Sequence, residues 1–189
     1  MSVSGRPEGE HRSAQHAGPA AAPRRSVRLR FAVQYAVSAR TLPTPASLRR
    51  WARAALAGEA AITLRFVGTR EGERLNARFR GGDHATNVLT FVYDDASPLG
   101  GDLVLCAPVL RREARLQGKE LADHCAHLVV HGMLHLQGYD HGNARAARVM
   151  EARETAILAG LGIPDPYACP YAGRPAPRRA RRTAGSRAA

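Results

Sequence analysis

The spacing of apolar positions along the chain predicts four β-strands. Apolar and polar residues alternate, with many β-branched and aromatic side chains, in SVRLRFAVQYAV (26–37) and AAITLRFVG (60–68). NVLTFVY (87–93) and DLVLCAP (102–108) have the composition of a third and a fourth strand. Only the turn-rich segment DDASPLGG (94–101) separates these two, so we expect them to pair as antiparallel neighbours.

Between and after the strands, apolar residues recur at helical spacing. The predicted helices are PASLRRWARAALAG (45–58), REGERLNARF (70–79), VLRREARLQG (109–118), LADHCAHLVVHGMLHLQ (121–137) and a last one from about Ala144 to Leu161. Thr44 before Pro45 is typical of a helix start, and Gly81 and Gly138 are typical of helix ends. Four strands are too few for a barrel, so the pattern predicts a single α+β domain with a four-stranded sheet packed with helices.

Composition and charge divide the chain into three parts. Residues 1–26 are rich in Gly, Pro, Ala, Ser and Arg without an apolar period and predict a disordered N-terminal extension, followed by a domain over 27–167. Residues 168–189 predict a disordered Arg-rich tail. The whole chain has a formal charge of +12, but residues 27–166 carry 18 Lys and Arg against 14 Asp and Glu. The excess fits either solvated termini in an arginine-rich proteome or contacts with a phosphate backbone.

Some classes of protein are disfavoured. The chain has neither the apolar core of a secretion signal near residue 1 nor a run of ~20 apolar residues, so we expect a cytoplasmic protein with no membrane partner. Cys106, Cys125 and Cys169 are odd in number and form no CxxC pair, which argues against a disulfide framework and a thiolate zinc site. We expect Cys106 and Cys125 to be small core residues.

The segment HGMLHLQGYDH (131–141) has the spacing of a metal site. On a helix, His131 and His135 lie one turn apart and can direct ring nitrogens to one point. Gly138 can end the helix, and the chain can then bring His141 back to the same point. Three imidazoles would coordinate zinc at ~2.0–2.1 Å and leave a fourth position for water, whereas structural zinc normally has four protein ligands. Asp140 is better placed to orient a ligand than to bind the ion.

Two neighbouring positions limit the chemistry. His127 lies one turn before His131, on the same side of the predicted helix. If His127 and His131 were the helical ligand pair, His141 would have no explained role. We therefore expect His127 to support a metal ligand or to pack in the fold. Gly132 stands where zinc proteases with the pattern HExxHxxGxxH have the glutamate that acts as general base. Peptide hydrolysis by that route is therefore disfavoured.

Three segments in order resemble the signatures of the bacterial YbeY endoribonucleases, also called ribosomal RNA maturation factors. They are LNARFRGGDHATNVLTF, LGGDLVLCAPVLRREARLQGK and HLVVHGMLHLQGYDH, and MEARETAILAGLGIPDPY after them also fits. The resemblance covers roughly residues 30–167 and neither terminus. It departs at Thr90 and Val92, where the family's strand usually has serine and proline.

This resemblance implies a zincin-like α+β domain with a four-stranded mixed sheet. A central helix presents His131 and His135, which with His141 hold one zinc ion per chain. It also implies that Arg80 serves the reaction. The implied activity is metal-dependent endonucleolytic cleavage of single-stranded RNA, in maturation of small-subunit ribosomal RNA and in ribosome quality control. The implied partners are ribosomal RNA and the small ribosomal subunit, with ribosome-assembly proteins as further candidates.

Two other functions stay open. One is a zinc-dependent peptidase that takes its base from a glutamate elsewhere on a predicted helix: Glu113, Glu120, Glu151 or Glu154. The other is a non-catalytic ribosome-assembly factor with a structural zinc ion and RNA-binding tails. Thr86 and Asn87 either line the cleft or form the polar turn that opens the third strand.

Overall fold

The computed structural model describes residues 28–94 and 98–168. The predicted N-terminal extension and the Arg-rich tail from residue 169 onward, with Cys169, lie outside these residues. The described residues form nine elements: β1 (Leu29–Tyr35), α1 (Pro45–Ala55), β2 (Ala60–Val67), α2 (Thr69–Arg80), β3 (Val88–Asp94), β4 (Leu99–Cys106), α3 (Ala107–Gln117), α4 (Leu121–Leu136) and α5 (Ala144–Gly160). Each predicted strand and helix is present, with ends that shift by a few residues.

The four strands form one mixed sheet in the order β1-β2-β4-β3. β1 pairs with β2 and β2 with β4 in parallel, while β3 pairs with β4 in antiparallel orientation. The prediction that the third and fourth strands are antiparallel neighbours is therefore confirmed. β3 is an edge strand, and its register with β4 shifts between Val92 and Asp94.

Helix α4 lies at the centre of the fold. It contacts the sheet at β3 and β4 and also contacts α1, α3 and α5. Because it is enclosed on several sides, ten of its sixteen residues are buried. The main core joins sheet residues such as Leu64, Phe66 and Leu105 with Val130 and Met133 of this helix. Full burial of one such side chain stabilises the fold by roughly 1.5–3 kcal/mol.

The helix ends follow the predicted signals closely. Thr44 caps α1, since its side chain accepts a hydrogen bond from the backbone N–H of Ser47, and Pro45 opens the helix. α2 ends at Gly81 with a φ of 69°. α3 begins at Ala107, before the predicted start, because Pro108 fits the first turn, where its missing N–H has no partner in any case.

The two described cysteines are core residues, as predicted. Cys106 and Cys125 are free thiols and buried. Burial raises the pKa of the Cys125 thiol to about 12 and also raises that of Cys106. Both therefore stay protonated at neutral pH, a form that does not bind metal.

None of the helices in residues 28–94 and 98–168 has both the length and the hydrophobicity needed to cross a bilayer.

Candidate metal centre

Three histidines meet where α4 ends. His131 and His135 lie one turn apart on α4, and the chain leaves the helix through Gln137 and Gly138. Gly138 has a φ of 85°, a conformation that glycine adopts without the steric cost of a side chain. The loop that follows carries His141 back towards the two helical histidines, so the predicted helix stop has the predicted effect.

The three rings converge as a ligand set would. One ring nitrogen of each histidine lies within 4.8 Å of those of the other two. The Nε2 atoms of His131 and His135 are 3.1 Å apart. The ring centroids of His135 and His141 are 4.9 Å apart and those of His131 and His141 5.6 Å apart. Two nitrogens at ~2.0–2.1 Å from a tetrahedral ion are about 3.3 Å apart, so the geometry fits such a metal ion.

The environment of His135 favours the neutral imidazole that metal binding requires. Burial lowers the pKa of His135, and the neighbouring rings of His131 and His141 lower it further. A weaker contribution from the Tyr139 backbone and Asp140 opposes them. His131 and His135 are half-buried, whereas His141 is exposed, so this group opens to solvent on the side of His141.

A buried carboxylate supports the first of these histidines. Glu154 of α5 is 0% exposed, and its Oε1 lies 2.8 Å from Nδ1 of His131. Its Oε2 lies 3.0 Å from Nε2 of His127 and also accepts a hydrogen bond from the hydroxyl of Tyr167. Burial by itself would raise the pKa of Glu154, but these three hydrogen bonds outweigh burial and lower the pKa to about 2.

His127 contacts Glu154, in line with the support or packing role expected of it. His127 is paired with the carboxylate that faces His131, and its ring also packs edge-on against Tyr167, with centroids 5.5 Å apart. A nitrogen of His127, one of His131 and an oxygen of Glu154 also lie within 4.8 Å of one another. That second group shares His131 with the histidine triad.

Asp140 contacts the loop backbone. Its Oδ1 accepts a hydrogen bond of 2.7 Å from the N–H of His141. This bond, together with one from the N–H of Gly142, outweighs the small effect of burial and lowers the pKa of Asp140. Asp140 thus shapes the segment that carries the third histidine, in line with the orienting role expected of it.

Gly132 faces the sheet and not the histidine triad. A Cβ atom at this position would lie 2.6 Å from Cδ2 of Leu103 on β4 and 3.5 Å from Oγ1 of Thr90 on β3. The helix therefore packs closely on the sheet at the position where zinc proteases have their catalytic glutamate, and a side chain there would have to displace Leu103.

Two of the glutamates proposed as a substitute base are engaged in hydrogen bonds, and a third is remote. Both oxygens of Glu154 accept hydrogen bonds. Oε2 of Glu113 lies 2.9 Å from Nε2 of His124 and accepts a 3.1 Å hydrogen bond from Nδ2 of Asn87. Glu120 precedes α4, about 16 Å along the axis from His131. Glu151 is exposed on α5.

Asn87 has a structural role. Its side-chain oxygen accepts a 2.7 Å hydrogen bond from the N–H of Val88, and its backbone oxygen accepts one from Cys106. Its amide donates to Glu113. Of the two roles considered for Thr86 and Asn87, these contacts support the turn that opens β3.

Arg80 is the last residue of α2 and is exposed. The loop after it is fixed by Asn76, whose buried side-chain amide donates a 2.7 Å hydrogen bond to the carbonyl of His84. Phe79 attaches this end of α2 to the edge strand, since its ring meets Phe91 edge-on with centroids 5.0 Å apart. The function predicted for Arg80 stays a prediction.

A cleft of about 610 Å³ lies beside His135. Val92 and Leu99 of the sheet line it on one side, and Gln137 and Gly138 line it on the other. Its volume is within the usual range for sites that bind small organic groups, ~300–1,000 Å³. The cleft therefore adjoins the histidine triad at His135.

Sequence reasoning missed the roles of Glu154 and Tyr167. Neither belongs to the histidine motif, and Glu154 is 23 residues beyond His131. One signal was available: Glu154 lies four residues from both Met150 and Leu158, so it shares the apolar face of its helix. A carboxylate on such a face indicates a buried charge that needs partners.

The chain is similar to known proteins over most of its length. Residues 41–162 match the family model described as endoribonuclease YbeY. Endoribonuclease YbeY of Aromatoleum aromaticum is 58% identical over 146 residues, which cover 76% of this chain and 95% of the relative. The protein of the same name from Nitrosomonas eutropha is 56% identical over 135 residues, which cover 71% of this chain and 96% of the relative. The protein in a solution structure from Thermotoga maritima is 22% identical to this chain. The match covers 75% of this chain and 98% of that protein, with a TM-score of 0.46.

Proposed function

The chain belongs to the endoribonuclease YbeY family, and on that premise we propose that it is a metal-dependent endoribonuclease specific for single-stranded RNA. Its proposed task is maturation of small-subunit ribosomal RNA and ribosome quality control in the cytoplasm. Ribosomal RNA and the small ribosomal subunit are its proposed partners, with ribosome-assembly proteins as further candidates.

The convergence of the histidine triad supports this function best. His131, His135 and His141 offer nitrogens within 4.8 Å of one another, beside an open cleft. We propose that they hold one zinc ion per chain. When bound in such a site, zinc supplies Lewis-acid activation of water or of a phosphoryl oxygen. Three protein ligands are the set found in catalytic zinc sites, which favours an enzyme over a factor with structural zinc.

The remaining proposed roles belong to the chain's own side chains. Glu154 holds His131, and the exposed Arg80 contacts the scissile phosphate. A guanidinium is permanently charged and can donate to two phosphate oxygens at once, so Arg80 would also stabilise negative charge that develops during cleavage. The peptidase is disfavoured because Gly132 stands in place of the protease glutamate, and because Glu113 and Glu154 are already engaged in hydrogen bonds.

Two exposed aromatic rings support the proposed preference for single-stranded RNA. Phe79 is 53% exposed and Tyr93 64% exposed, on α2 and on the edge strand β3. Unpaired bases stack on such rings, whereas bases within a duplex are already stacked on each other. The cleft beside His135 offers space for a nucleotide.

The test combines zinc content with cleavage assays. The full chain is incubated with single-stranded RNA, with the same RNA as a duplex, and with an unstructured protein, each with and without a chelator. We expect zinc in the purified chain, cleavage of the single strand alone, and loss of cleavage on chelation. His135→Ala and His141→Ala should lose both the zinc and the cleavage, because each removes one of three ligands.

His84→Ala is the matched control for zinc content. His84 is an exposed histidine that bonds to Asp83 and lies outside the histidine triad, so this variant should retain zinc. Full RNA cleavage by a zinc-free double variant of His135 and His141 would refute the proposal. Cleavage of the unstructured protein but not of RNA would favour the peptidase instead.

A further inference from the structure

The buried carboxylate of Glu154 is the group in this fold that most needs an explanation. It is 0% exposed and lies on α5 between the buried Met150 and Leu158. Burial of a carboxylate destabilises a fold unless hydrogen bonds satisfy both of its oxygens. An apolar residue at this position would pack α5 onto α4 without that cost, so packing alone does not account for a glutamate.

The hydrogen bonds of Glu154 fix the orientation of a proposed metal ligand. An ionised carboxylate only accepts hydrogen bonds, so a His131 ring that binds a metal ion carries its proton on Nδ1, which lies 2.8 Å from Oε1 of Glu154. The lone pair is then on Nε2. That nitrogen points towards Nε2 of His135, 3.1 Å away.

The other oxygen of Glu154 is held by two further groups. His127, one turn before His131 on α4, lies 3.0 Å from Oε2 through its Nε2. The hydroxyl of Tyr167, in the segment that follows α5, donates to the same oxygen. Tyr167 also packs against the ring of His127. The carboxylate is thereby fixed from α4 and from the chain beyond α5.

We propose that Glu154 is a positioning residue for the metal centre, and that Tyr167 and His127 hold its carboxylate in place. Glu154 keeps His131 in the form protonated on Nδ1, with Nε2 free for the ion. The segment after α5 thus contributes to metal affinity although it carries none of the three ligands. This inference rests on the proposed zinc site, and it adds the residues that tune that site.

Zinc affinity without RNA is the first measurement. The apoprotein is titrated with zinc in competition with a chromophoric chelator, for the wild type, Glu154→Gln, Glu154→Ala and Tyr167→Phe. Loss of a carboxylate behind a metal-bound histidine typically weakens metal binding about 10–100-fold, and we expect this range for both Glu154 variants. Tyr167→Phe should weaken binding by a smaller factor, because Glu154 keeps both histidine contacts.

The tautomer of His131 is the second measurement, and a purely structural role would not change it. Nitrogen-15 NMR of the folded apoprotein should show the Nδ1 proton in the wild type and a mixture of tautomers in Glu154→Ala. Glu151→Gln is the matched control. Glu151 is an exposed glutamate one turn earlier on α5, so its variant should retain both the affinity and the tautomer.

Three results would overturn the inference. One is wild-type zinc affinity in folded Glu154→Gln together with an unchanged His131 tautomer. Another is binding of two zinc ions per wild-type chain with one lost in Glu154→Gln, because Glu154 would then be a ligand itself. The third is wild-type affinity in Tyr167→Phe. If the wild-type chain binds no zinc, the proposed function is contradicted. If the wild type and the Glu154 variants bind zinc equally well, only the role of Glu154 is contradicted.

Discussion

Gly132 shows how one missing side chain can satisfy two requirements. It stands between His131 and His135 on α4, and the space where its Cβ would lie is occupied by the side chain of Leu103. Leu103 is itself fully buried, so it has little room to move. The glycine therefore allows close packing of the metal-binding helix on the sheet, and it also removes the glutamate on which a zinc protease depends.

Replacing Gly132 with alanine should destabilise the fold. Overpacking costs about 1–3 kcal/mol, and the better helix propensity of alanine offsets about 1 kcal/mol of that. We expect the free energy of unfolding, measured by urea denaturation, to fall by about 1 kcal/mol. In a Leu103→Ala background the same change should be neutral or stabilising, because the side chain that it meets is shortened.

Gly160→Ala provides the control for this series. Gly160 also lies in a helix, at the end of α5, and a Cβ there meets no atom within 4 Å. That variant should be as stable as the wild type or slightly more stable. An equal effect of Gly132→Ala in both backgrounds would show that Leu103 is not the cause.

The residues of the site differ in how far the sequence predicted them. His131, His135 and His141 follow from spacing, because helix geometry relates positions four apart and Gly138 supplies the turn. Glu154 could not be found in this way, since its partner lies on another helix and only tertiary packing brings the two together. Gly132 was recognised as a departure from the protease pattern, but its contact with Leu103 required the sheet.

At the scale of elements, the edge strand β3 and the end of α2 form one exposed aromatic region. Phe79 meets Phe91 edge-on and is 53% exposed, and the guanidinium of Arg78 lies 5.2 Å from the centre of the Phe79 ring. An aromatic ring with a cation beside it is a common platform for an unpaired base. This region would bind RNA through stacking and charge together.

Removing the ring should weaken binding of single-stranded RNA. Stacking of one base on an aromatic side chain contributes about 1–3 kcal/mol, so Phe79→Ala should raise the dissociation constant by roughly 5- to 150-fold. Fluorescence anisotropy with a labelled oligonucleotide measures this change. Phe79→Trp should retain binding because it keeps a ring for stacking.

Leu116→Ala serves as the control for loss of an exposed apolar side chain. Leu116 is 80% exposed on α3, outside this aromatic region. RNA affinity should stay at the wild-type value in this variant. If Phe79→Ala and Leu116→Ala bind RNA equally well, Phe79 is not a stacking platform.

The pairing of elements was only partly predictable. The short connection between β3 and β4 indicated an antiparallel pair, and the structure has one. The parallel pairing of β2 with β4 leaves β3 at the edge, and no local signal predicts that order. Alternation along a strand reports which face is buried, whereas the identity of the neighbouring strand depends on how helices such as α2 cross the sheet.

At the scale of the whole molecule, most of the excess positive charge lies away from the proposed metal centre in the sequence. The proposed metal centre lies in the part of the chain whose charge is nearly balanced. Most of the excess arginine lies in the terminal segments, including Arg178, Arg179, Arg181 and Arg182. Contacts between such residues and phosphates depend on salt but not on RNA sequence.

Deletion of residues 169–189 should therefore weaken RNA binding without loss of zinc. For single strands, the slope of log affinity against log salt falls by ~0.7 for each phosphate contact that is lost, so the truncated chain should show a shallower slope. The measurement is RNA affinity at several salt concentrations. An unchanged slope would place the electrostatic contacts elsewhere in the chain.

The proposed dependence of His131 on Glu154 has a consequence for synthesis of the chain. All three histidines of the triad precede α5, so a ribosome translates them before the carboxylate that orients one of them. A nascent chain that ends shortly after His141 contains every proposed ligand but lacks the support of His131. High-affinity metal capture should therefore begin only after translation has passed Glu154, which makes the metal centre one of the last features of this fold to mature.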